Sequence, residues 1–154
     1  MCLTRLSTRS FIRLPHTPFP RFAYDLVEVY FQICHTRFPL LNPSQFRARL
    51  KYSLTPNPLP NAHSPNDKPL HPALLATVIA WGAKFSEHPL LVLDREGNNG
   101  SSRLARTLVN RARNVAEAEK VHRISSPDHV VIALLIEPLQ NRKPLIRDPK
   151  IREY

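Results

Sequence analysis

Proline constrains this chain more than any other residue: sixteen prolines stand against three glycines. Each proline fixes φ, removes a backbone N–H and pushes the residue before it toward extended geometry. It therefore opens helices at their first turn and ends them elsewhere. Eleven of the sixteen lie at or before Pro72, and six fall between Ser53 and Pro72 among Asn, Ser and His. That stretch, Ser53–Leu70, reads as an irregular, polyproline-like connector. The scarcity of glycine leaves little room for a Gly-rich nucleotide loop.

Between these stops the hydrophobic pattern has the helical period. Arg21–Phe38 carries Phe22, Leu26, Val29, Tyr30 and Ile33 at three- and four-residue steps, extended by Cys34 and Phe38, and Pro39 stops it. Asn42-Pro43-Ser44 reads as a cap with proline in the first turn, opening a short helix over Pro43–Tyr52. Phe46 and Leu50 point inward there, while Arg47, Arg49 and Lys51 mostly face water. Pro72–Ser86 is apolar almost all round, the signature of a buried helix. Gly82 and Ala83 within it are small enough to admit a close neighbour. Glu96–Ser102 is a loop by composition. Arg103–His122 follows as a long amphipathic helix with Leu104, Leu108, Ala112 and Val115 in one stripe and Ser101 or Ser102 as its N-cap. Ser126-Pro127-Asp128 opens a last helix that Pro138 closes; its Val130–Leu135 run also suits a buried strand, but its length and its place among helices favour the helix.

No strand pairs and no internal repeat are visible. The expected fold is all-α: an irregular helical assembly rather than an up-down bundle. Its expected core is Leu74, Val78, Trp81, Phe85, Leu108, Val115, Val131 and Leu135. Both ends read as flexible. Met1–Arg21 has four arginines and no acid, with Arg5, Arg9 and Arg13 on one helical face, which suits either a disordered leader or a mitochondrial presequence. Asn141–Tyr154 is a charged tail. These two ends hold much of the formal charge of +10.

Candidate chemistry is sparse. Two cysteines, Cys2 and Cys34, supply neither a zinc site nor a disulfide framework, and Cys34 on an apolar face reads as a small core residue. The seven histidines lack metal-pair spacing and read as isolated surface or cap residues. No strand-turn-helix nucleophile elbow is present, so no catalytic residue, no metal and no cofactor is assigned. The absence of any stretch of about 18 apolar residues excludes a membrane-spanning helix, and no membrane partner is expected. Gly97–Arg103 precedes a helix and suits either an anion cradle or, more commonly, a solvated cap loop. Arg103, Arg106 and Arg113 are the candidate contacts for nucleic acid or an acidic partner, against the plainer reading of a solvated face. No aromatic residues interleave with them, which disfavours a single-strand platform.

Three segments taken together are more specific than any of these motifs. They are Tyr30–Leu41, with its Phe-Pro-Leu-Leu ending; His71–Ser86, running through Trp81-Gly82-Ala83-Lys84-Phe85; and Arg103–Lys120; the block Val130–Gln140 extends the match. In this order they resemble the middle regulatory region of fungal zinc-cluster transcription factors, most of all the xylanolytic-activator type, over roughly Phe22–Gln140. The resemblance implies a non-catalytic helical region in a nuclear regulator of transcription. Its expected partners are the transcription machinery or a second copy of itself, with DNA contacted only indirectly or non-specifically. Relatives bind zinc through a separate six-cysteine cluster, which nothing here matches. The chain is therefore expected to carry only the first helices of that region and to leave apolar surface uncovered. The alternatives are a zinc-independent basic nucleic-acid-binding protein and a small mitochondrial protein.

Overall fold

The computed structural model describes residues 19–54 and 69–140. The leader up to residue 18, the middle of the connector and the charged tail lie outside the described residues. Among the described residues there are six α-helices and no strand: α1 (Phe19–Val29), α2 (Pro43–Leu54), α3 (Pro72–Phe85), α4 (Pro89–Glu96), α5 (Arg103–Ala118) and α6 (Pro127–Gln140). The all-α expectation holds. A π-helical turn over Tyr30–Cys34 continues α1.

Proline sets the starts. Four of the six helices begin on it, at Pro43, Pro72, Pro89 and Pro127. The preceding side chain supplies an acceptor for the first free amides, as an N-cap should. Asn42 Oδ1 accepts from the Ser44 and Gln45 amides at 3.0 and 3.1 Å. Ser126 Oγ accepts from the His129 amide at 3.1 Å. His71 and His88 accept through Nδ1 from Ala73 and Leu90 at 3.2 and 3.3 Å.

α3 occupies the centre, packed on α1, α5, α6 and the π turn. The main core gathers Val27, Tyr30, Phe31, Phe46, Leu50, Leu74, Val78, Trp81, Ala112, Ala116, Ile132, Leu135 and Ile136. A smaller cluster of Leu26, Ala83 and Leu91 closes the corner where α1, α3 and α4 meet. α1 and α3 approach at Gly82, where backbone atoms of Leu26 fill the space a side chain would need. This contact fixes the rotation of α1. The residues it buries are Ala23, Leu26, Val27, Tyr30, Phe31 and Cys34. That face lies about one residue round from the expected stripe, since consecutive helical positions differ by about 100°. Ile33 and Phe38, expected inward, are 42 % and 46 % exposed.

Four other expectations are corrected. Phe85 is 37 % exposed and stacks on Trp81 with ring centroids 6.0 Å apart. In α6, Ile132 and Ile136 are buried while Val131 is only half-buried, because a helix apolar on every side carries no periodic signal to orient it. Pro138 does not close that helix but lies inside it. α5 ends at Ala118, not His122, because Lys120 takes a left-handed φ of 54°. The Lys120 and Val121 amides then bond back to Glu117 and Ala116 at 3.0 Å each. This is a Schellman ending, and the buried Val121 supplies the apolar contact that accompanies it.

Candidate functional site

α5 carries the expected basic residues on its outer side. The inner side holds Ala112 and Ala116 buried, with Leu108 and Val115 half-buried. This leaves Arg103, Arg106 and Arg113 exposed. Steps of three and seven residues put these three on one side of the helix, about 15 Å from end to end at 1.5 Å per residue. Arg106 Nη2 donates to Ser101 Oγ at 2.9 Å, which steadies the middle guanidinium. Arg113 borders a shallow depression of about 330 Å³ between α5 and α6, lined also by Ala116, Glu117, His122 and Ile136.

The loop before α5 is a cap rather than an open cradle. Asp94, near the end of α4, reaches across it. Its Oδ2 accepts from Ser102 Oγ at 2.6 Å and from the Leu104 amide at 2.9 Å. Ser102 Oγ in turn accepts from the Ala105 amide at 3.0 Å. The Ser102 hydroxyl and the Leu104 and Arg103 amides hold the Asp94 carboxyl below the usual aspartate range. A carboxylate of the chain itself therefore sits where the helix dipole favours an anion. Asp94 was not among the residues singled out from sequence. It lies ten positions before its amide partner, outside the spacing of a local capping box.

Cys34 and Tyr30 sit side by side in the core. Burial pushes the Tyr30 phenol up to about 12 and the Cys34 thiol up to about 11. Both stay protonated at neutral pH, and a protonated thiol is a poor nucleophile. Their place is that of packing residues, as the sequence reading of Cys34 expects. Among the described residues no group of three or more His, Cys, Asp or Glu side chains comes together as metal ligands would.

Two histidines are not isolated. His71, capping α3, and His129, in the first turn of α6, meet with Nε2 atoms 3.2 Å apart and rings nearly perpendicular. His129 is buried, and its Nδ1 lies 2.6 Å from the Ile124 carbonyl. Each stands within two residues of a helix-starting proline in the sequence, but nothing local brings together residues 58 positions apart.

Compared with known proteins, the chain matches no family profile, no curated protein and no solved structure. The resemblance to the fungal regulatory region therefore rests on the quoted residues themselves. No helix among the described residues is long and apolar enough to cross a membrane.

Proposed function

We propose that the chain is a regulatory or interaction module of the kind found in the middle region of fungal zinc-cluster transcription factors, acting through helical surfaces presented to protein partners or to a second copy. The observation that carries this reading is apolar side chain left at the surface beside a filled core. Val130 and Leu134, one turn apart on α6, are 56 % and 54 % exposed. Ile33 in the π turn and Phe38 and Leu40 between that turn and α2 are exposed. Scattered apolar residues are ordinary on a protein surface, whereas neighbouring ones mark places of association. The collinear segments quoted above supply the transcriptional context, and with it a nuclear location. Tethering tests the proposal. Fused to an unrelated DNA-binding domain, the chain is expected to change output from a reporter carrying that domain's site. Val130→Lys combined with Leu134→Lys is expected to remove most of that change at unaltered protein level. A reporter indifferent to the wild-type fusion overturns the reading.

A second reading, non-specific nucleic-acid binding without zinc, is favoured by one observation: the exposed Arg103, Arg106 and Arg113 on one side of α5. Phosphate contacts release counterions, so affinity falls steeply with salt. Replacing all three arginines by alanine is expected to flatten the slope of log affinity against log salt by up to about 3, near one per lost phosphate contact. An unchanged slope in duplex-binding titrations removes this reading.

A further inference from the structure

Hydrogen-bond partners fix the proton positions in the His71–His129 pair. The Ala73 amide donates to His71 Nδ1 at 3.2 Å, so that nitrogen carries no proton and the single proton of neutral His71 sits on Nε2. His71 Nε2–H then donates to His129 Nε2 at 3.2 Å. The proton of His129 is left on Nδ1, where it donates to the Ile124 carbonyl at 2.6 Å. The result is one directed chain: Ala73 amide, His71, His129, Ile124 carbonyl. Each ring uses its one donor and its one acceptor.

Such a chain has no place for another proton. The two unprotonated nitrogens are His71 Nδ1 and His129 Nε2, and each already faces an N–H. A proton on either sets two N–H groups head to head and breaks the chain at that point. It also places a positive charge in a half-buried to buried setting. We propose that the pair is an acid-released latch: while neutral it holds the first turn of α3 against the first turn of α6, and one added proton lets the two separate.

The surroundings fit that role. The latch lies beside contacts that α2 makes with the end of the connector and with α6. Arg49 of α2 donates to the Pro69 carbonyl at 3.2 Å and approaches Asp128 of α6 at 3.4 Å. Ser53 Oγ accepts from the Leu70 amide at 2.9 Å. The charged groups facing His71 are Glu119 at the end of α5, Asp128 and Arg49. The two acids favour its protonation, while Arg49 opposes it. Burial is the largest influence and the His129 charge the next, and together they hold His71 below its ordinary value of 6.5. A depressed folded-state value gives the sign. The unfolded chain takes up the proton first as pH falls, so the contribution is complete above pH 6.5 and is lost on descending through the lower folded-state value. The separation of 3.2 Å would also suit two imidazoles on one divalent ion. A ligating His71 Nε2 must first move its proton to Nδ1, where the Ala73 amide points, so the capped state is built for a proton and not for a metal.

Imidazole nitrogen NMR on the full chain tests the latch. At pH 7.5 His71 is expected as the Nε2–H tautomer and His129 as the Nδ1–H tautomer. Both signals are expected to change together on acidification, along with the Ala73 amide. Two rings that titrate independently around 6.5, or that show other tautomers, overturn the proposal. Urea unfolding at pH 7.5 and 5.5 gives a second readout. Per proton linked, the folding constant falls by up to about tenfold per pH unit. His129→Gln, which takes away the second ring of the pair, is expected to lessen that dependence. An equal pH dependence in the variant also overturns the latch.

Discussion

Gly82→Ala is expected to destabilise the protein by about 3 kcal/mol, at the upper end of the cost of overpacking a core. The added Cβ runs into the Leu26 carbonyl oxygen and comes within 2.6 Å of the Leu26 carbonyl carbon and 3.0 Å of its Cα. All three atoms are backbone, so no side chain can swing aside. Relief requires α1 to move away from α3, which opens both hydrophobic clusters at once, since Leu26 belongs to one and Val27 and Tyr30 to the other. Urea unfolding followed by circular dichroism measures the loss. Gly97→Ala is the matched control: its Cβ meets only the Leu93 carbonyl oxygen, at an ordinary 3.5 Å. A Gly82→Ala midpoint equal to that of the control would show that the two helices do not meet at Leu26.

Trp81→Ala is expected to cost about 3–5 kcal/mol, the usual range for deleting a buried tryptophan. The indole is the chain's single tryptophan and is 7 % exposed. It packs in the main core, carries the Phe85 ring on one side, and has Lys84 Nζ 5.1 Å from its centroid. Its Nε1–H donates to the Leu135 carbonyl at 2.8 Å, a buried bond that ties α3 to α6 across 54 residues. Trp81→Phe separates the two contributions. It keeps most of the packing and leaves the carbonyl without this donor, at about 1–3 kcal/mol. If the phenylalanine variant melts like the wild type, the bond contributes nothing and packing alone holds α6 on α3.

Helix starts were legible in the sequence because proline and its capping neighbour act within three residues. Asn42-Pro43 and Ser126-Pro127 each place a cap and a fixed φ at the first turn. The burial of α3 was legible too, since a helix without a polar face has to lie inside. Which way a helix turns is a property of its neighbours. α1 is apolar over more than half its circumference, so its rotation followed from the Gly82 contact and not from its own pattern. α4 escaped notice for a related reason: eight residues make just over two turns and bury one side chain, Leu91, too little for a period to emerge. The exposure of Arg103, Arg106 and Arg113 could be read from the α5 stripe. The partnership of His71 with His129 and the reach of Asp94 to α5 could not, because both depend on how separate elements pack.

α4 is fastened to the rest of the molecule unevenly, and this gives the protein an order of events in time. Leu91, its one buried side chain, sits between Leu26 and Ala83, and polar ties such as Arg95 Nη2 to the Ser86 carbonyl at 2.7 Å add to it. Segments with so few buried apolar contacts open at a small fraction of the free energy needed for global unfolding. The amide protons of α4 therefore trade with solvent long before those of α3. Asp94 leaves with its helix, so the Leu104 amide in the first turn of α5 loses its acceptor in the same step. The two frays are one event, and the amides of α4 and of the first turn of α5 lose their protection together.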